Sequence, residues 1–205
     1  YYGKIYVIIS CFCEVMCTGV ERASFLRNIP EVFMLSLTFG VKGYKNALGS
    51  NLRQSIELVY KHIYYAYHPV EYSWVCDRDA FKEIGNAYLE GYLEKTSEKR
   101  FQSVKTSLEM LSYQYGKLSR YVHTHNPDYF GQTKLKSNPD IDLVLKEMEG
   151  GYSVVAKSII LVVIAYFPAV FEATSEPEKR LISELFKSKS DKADLHSLMG
   201  DLELI

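Results

Sequence analysis

The sequence predicts an all-α fold, on three observations. Proline and glycine are sparse, six and twelve among 205 residues, and they gather at a few joints instead of punctuating the chain at short, strand-like intervals. Between the joints, apolar residues recur at spacings of three and four. The β-branched clusters, such as "VVIAY" (162–166), come with neither an alternating polar pattern nor a tight hairpin signal.

Taken in order, the first forty residues supply one or two helices, with a joint at Ile29-Pro30. The next helix starts at Ser50, a residue type that caps helix N-termini with its side-chain oxygen, and carries Leu52, Ile56, Val59 and Ile63 on one face. It should end before Pro69, because the residue ahead of a proline is pushed out of the α region. "DRDAFKEIGNAYLEGYLEKT" (77–96) reads as a further helix. The clearest one spans roughly Glu98 to Thr124, where Phe101, Val104, Leu108, Leu111, Tyr115, Leu118 and Val122 form a sustained packing seam. Residues 140–171 read as one long helix with room for a break, and "EPEKRLISELFKSKS" and "KADLHSLMGDLELI" as short amphipathic helices. Residues 1–175 are expected to form one helical domain and 176–205 an amphipathic extension.

A hydrophobic fraction of 47% over this length is enough for a real core. The formal net charge of -1 and a pI near 6.6 give no global nucleic-acid signature, so any such contact has to come from a local patch. Two apolar stretches, 5–17 with Glu14 inside it and 159–171 with Pro168, fall short of the ~20 residues a bilayer core needs and are read as buried helices. No membrane association is expected. The start, at Tyr1, has no basic segment or small-residue cleavage site and does not read as a signal peptide. Four cysteines are too few and too unevenly placed for a disulfide framework, which points to a reducing compartment, the cytoplasm by default.

The chemistry-bearing residues narrow quickly. Cys11, Cys13 and Cys17 give a C-x-C-x-x-x-C spacing that is not a usual zinc pattern, and burial in apolar surroundings is the better reading. His62 and His68 in "HIYYAYH" read as part of a packed aromatic face. No glycine-rich phosphate loop, H-E-x-x-H or G-x-S-x-G string occurs, so no metal ion or cofactor is expected. What remains is "LSRYVHTHNPDYF" (118–130), where Arg120, His123, His125 and Asn126 stand just ahead of Pro127. The plain reading is a helix C-terminus, whose negative dipole end favours cationic side chains.

The same string carries a resemblance. Four residues separate Arg120 from His125, so "RYVHTH" fits R-x4-6-H, and "YGKLSRYVH" (115–123) looks like Y-x-x-L-S-x-x-V-H. Near a helix end in an all-α chain, these resemble the HEPN superfamily of helical bundles and its abortive-infection branch. "LRQSIE" (52–57) is similar to an arginine-plus-glutamate segment on an earlier helix of that branch; Arg53 and Glu57, at i and i+4, share a helix face and can pair. The resemblance covers roughly residues 50–170. Its two strings name different histidines, His125 for the first and His123 for the second, and Gly116 and Lys117 stand where a second pattern of the superfamily has an arginine.

The resemblance implies a HEPN-like bundle with additional N- and C-terminal helices, and a metal-independent endoribonuclease of a defence or toxin-type system. A histidine would take the proton of a ribose 2′-hydroxyl that attacks the adjacent phosphate, with Arg120 on the phosphate. Ser119, Asn126, Arg53 and Glu57 would support them, and Lys117, Lys134 and Lys136 would supply local positive charge for RNA. A homodimer is implied as well, since two protomers of such bundles commonly share one cleft, together with an antitoxin or other defence-system partner. The alternative is a catalytically inactive HEPN-like module for dimerisation or partner binding.

Overall fold

The fold was analysed in a computed structural model, which describes residues 1–17, 25–77, 86–96, 98–122 and 141–201. Among these residues there are eleven helices and no strand: α1 (Tyr2–Cys17), α2 (Phe25–Val41), α3 (Lys45–Tyr67), α4 (Pro69–Asp77), α5 (Asn86–Thr96), α6 (Glu98–Ser103), α7 (Lys105–Val122), α8 (Ile141–Tyr166), α9 (Pro168–Glu172), α10 (Glu176–Ser183) and α11 (Lys189–Asp201). The all-α class is the one the sequence predicts. No helix among them is long and apolar enough to cross a membrane.

The bundle is organised around α8, which packs against α1, α2, α3 and α7. Every residue from Ile159 to Tyr166 is buried. A helix apolar on all sides has no solvent face to offer and must be enclosed by others. Around it, α1 buries Ile5, Ile8, Ile9, Phe12, Cys13 and Met16 at helical spacing and turns Glu14 outward. Tyr152 brings its hydroxyl into the core and donates it to the Phe33 carbonyl at 3.1 Å. Its ring meets Phe33 edge-on at 4.8 Å.

Helix ends follow local chemistry. α2 stops in a Schellman motif: the Gly43 amide donates to the Gly40 carbonyl at 2.9 Å and the Tyr44 amide to the Phe39 carbonyl at 2.8 Å, while Gly43 takes a φ of 79°. The accompanying apolar contact is Phe39 against Tyr44, edge-on at 6.3 Å. α3 then starts at once, at Lys45. Ser50 is therefore inside α3 and exposed, not its N-cap. Pro30 is likewise no joint but lies within α2. It costs the helix about 3 kcal/mol, yet Leu26, Ile29, Val32 and Phe33 all bury on that helix, each worth about 1.5–3 kcal/mol. Burial wins over the lost backbone bond.

Of the helix expected over 77–96, α5 covers Asn86–Thr96; Asp77 instead ends α4, and 78–85 lie outside the described residues. α3 ends at Tyr67 ahead of His68 and Pro69, and the break after Tyr166 falls just before Pro168. The expected helix from Glu98 to Thr124 is divided by a turn at Val104 into α6 and α7. Its seam residues Val104, Leu108, Leu111 and Leu118 are all buried, against α3 and α8.

The C-terminal segment is docked on the bundle. Ser175 and Glu178 form a reciprocal capping box that starts α10, and Ile182, Leu185 and Phe186 are buried. Lys4 of α1 pairs with Glu184, and Lys157 of α8 with Asp191 at 2.7 Å.

Candidate functional site

The polar cluster of greatest interest sits where α3 and α7 cross. Arg53 donates through Nε to Glu57 Oε1 at 3.0 Å, the i,i+4 pair that the sequence predicts. The Tyr115 hydroxyl of α7 donates to the same oxygen at 3.1 Å. The Arg53 guanidinium also lies over the Tyr115 ring, 5.1 Å from its centroid. A carboxylate, a cation and an aromatic ring thus fix one another, with both side chains of the ion pair only about one-fifth exposed. In that setting a charge pair is less screened than on an open surface. Arg53 Nη1 is buried with no hydrogen-bond partner among the described residues.

Beside this cluster, α3 carries a half-open groove of about 240 Å³ lined by Ser50, Arg53, Gln54, Glu57, Leu58 and Lys61. These positions recur at three and four along one face of the helix. Two cations and one anion line it.

The direction of α7 follows from two contacts. Arg100 of α6 donates to the Tyr67 hydroxyl at 2.9 Å, at the C-terminal end of α3, whereas Tyr115 meets Glu57 farther back. The α6–α7 segment therefore runs antiparallel to α3. Past Tyr115 the chain heads toward the Ser50 end of the groove.

Ser119 is one turn beyond Tyr115 on the same face and donates its hydroxyl to the Tyr115 carbonyl at 2.7 Å. Arg120 is different. Five residues beyond Tyr115 it sits about 7.5 Å farther along the axis and about 140° round the helix, and it is exposed, as Lys117 is. The structure thus brings Arg53, Glu57 and Tyr115 together and keeps Arg120 off that face. Arg120 instead continues an outer stripe with Met110, Tyr113 and Lys117, of which Tyr113 is 65% exposed. His123, His125, Asn126, Lys134 and Lys136 lie outside the described residues.

Tyr115 is the residue that sequence reasoning assigned to an apolar seam and that the structure joins to the Arg53–Glu57 pair. The signal for it was weak: a tyrosine among leucines in a helical seam carries one polar atom, and buried hydroxyls find partners.

The other sequence candidates are packed side chains. His62 is fully buried with its ring 5.1 Å from that of Phe167. His68 stacks on Tyr64 at 4.1 Å, with its Nδ1 2.8 Å from the Tyr64 carbonyl. Burial pushes the Cys13 thiol well up and raises Cys17, against the opposing pull of Arg27. Cys11 is raised by burial and by Glu178 and Glu14. Raised thiols stay protonated, the opposite of what a nucleophile or metal ligand needs. Among the described residues, no group of three or more His, Cys, Asp or Glu side chains is placed to share a metal ion.

No protein-family model, curated protein or solved structure matches the chain.

Proposed function

We propose that the protein is a metal-independent endoribonuclease of the HEPN type, belonging to a defence or toxin-type system of the cytoplasm. The observation that supports this most is the exposure of Arg120 on the last turn of α7, immediately ahead of the string that contains His123, His125 and Asn126. An arginine there is open to a substrate phosphate and keeps its charge at any working pH. A histidine following it has an unperturbed pKa close to ambient pH and suits removal of a ribose 2′-hydroxyl proton. The oxygen so activated attacks the neighbouring phosphorus, the 5′-oxygen of the next nucleotide leaves, and a 2′,3′-cyclic phosphate results. The arginine offsets the charge that builds on the phosphate oxygens.

Two protomers would meet along α7. Its leucine seam is spent on its own bundle, so the shared face is the outer stripe of Met110, Tyr113, Lys117 and Arg120, which would set two arginines near one two-fold axis. Light scattering should give a dimer. A monomer at every concentration would remove the composite site.

The same stripe favours a second reading, an inactive bundle that dimerises or holds an antitoxin or other defence partner through Met110 and Tyr113. Cleavage of single-stranded RNA separates the two. The nuclease loses it on Arg120→Ala with the fold intact, whereas the binding module never has it.

A further inference from the structure

The outward face of α7 carries a second regular stripe. Glu109, Tyr113, Gly116 and Arg120 follow one another at spacings of four, three and four, away from the buried leucine seam, and all four are exposed. Glu109 and Arg120 stand about three turns apart and within about 20° of each other round the helix. Neither is in an ion pair among the described residues. Between these opposite charges lies Tyr113, 65% exposed, and the space over Gly116 is open, since a Cβ there would meet nothing within 4 Å. Met110 and Lys117 flank the stripe and are exposed as well. Laid side by side in parallel, two such stripes would set Glu109 on Glu109 and Arg120 on Arg120. Turned end for end, the stripe is complementary to itself, which is what a two-fold interface requires.

We infer that two copies of the chain pair through antiparallel α7 helices, with Glu109 of each protomer facing Arg120 of the other. The choice of this face rests on the dimer proposed above; the direction, the register and the pairing stand on the order of charges along α7. The two-fold axis lies midway between Glu109 and Arg120, and each Arg120 is about 8 Å from it along the helix. Tyr113 comes opposite the partner subunit's Gly116, where the missing side chain leaves room for the ring. Met110 lies beside the aliphatic stem of the partner subunit's Lys117. The charges at the two ends fix orientation and exclude other registers, while the tyrosine ring supplies apolar area at the centre. A guanidinium donates along more than one edge. The partner's carboxylate therefore holds one edge of Arg120 and leaves another open to a phosphate.

The test is sedimentation equilibrium of the full chain and of its charge-reversed variants, with circular dichroism as the check on folding. The parent should be a dimer. Glu109→Lys and Arg120→Glu each put like charges at both contacts and should each weaken self-association by about tenfold or more. An equimolar mixture of these two variants should recover the dimer, because in the mixed pair both contacts again join opposite charges. Gly116→Gln has room for its side chain in the single copy but fills the space that the Tyr113 ring needs. It should weaken association severalfold without changing the charge, and it decides the matter if a charge reversal fails to fold. A parent that stays monomeric overturns the interface. So do folded single variants that dimerise like the parent, or a mixture that stays monomeric. A parent dimer and a restored mixed dimer, with no cleavage of RNA by the parent, count against the nuclease reading alone and support the pairing.

Discussion

Tyr115 of α7 and Arg53 of α3 are joined twice, through the ring that lies under the guanidinium at 5.1 Å and through Glu57, whose Oε1 accepts from both. The link ties α7 to the earlier helix α3. It also makes the two helices report on each other.

Tyr115→Phe separates these two connections, since it keeps the ring and removes the hydroxyl. Loss of one part-buried hydrogen bond to a carboxylate should cost about 1 kcal/mol in urea unfolding. A double-mutant cycle with Glu57→Gln should show coupling, with the pair costing less than the sum of the single changes. Strict additivity would mean that the hydroxyl and the carboxylate do not depend on each other.

How much of this was legible beforehand varies with the physics. Pro69 announced a helix end because a proline acts locally on the residue before it, and the structure ends α3 at Tyr67; the break left open within 140–171 falls after Tyr166, just ahead of Pro168. Pro30 is the counter-example: nothing local says that four apolar neighbours will outweigh it. Ser50 had the composition of an N-cap, but the Gly43 turn had already restarted the helix at Lys45. Arg53–Glu57 was readable because i,i+4 spacing is fixed within one helix. Tyr115 was not, because its partner is 58 residues away in sequence and only the antiparallel crossing brings them together. The outward turn of Arg120 could have been read from its place three residues after Lys117 and two after Leu118 in the seam.

The C-terminal helix should loosen in acid. Burial raises the Asp191 carboxyl, but hydrogen bonds from Lys157 and Ser188, with the lysine's charge, outweigh it and hold the group below the usual carboxylate range. A depressed folded-state value stabilises above the unfolded pKa, about 3.9, and that contribution is lost as pH falls through the lower folded value. Asp191→Asn should therefore lower stability by up to about 1 kcal/mol at pH 7. Below the folded value it should change little. An equal gap between variant and parent at pH 7 and in strong acid would show that the charge is not what docks α11.

The two histidines can be told apart by substitution. On the proposed nuclease reading, with the base taken from the R-x4-6-H spacing as His125, His125→Ala should lower the cleavage rate ~100- to 10,000-fold while His123→Ala keeps most of it. The reverse order would follow if the second string governs. Arg120→Ala should be damaging in both cases. Parent-like cleavage by all three folded variants would reduce the segment to a helix cap.

The most direct measurement is cleavage of single-stranded RNA by the purified chain in excess chelator, with the new ends identified. The account predicts cleavage that survives the chelator and yields 2′,3′-cyclic phosphate and 5′-hydroxyl termini, because a histidine and an arginine carry the chemistry. No cleavage, or cleavage that requires magnesium or manganese, would contradict it.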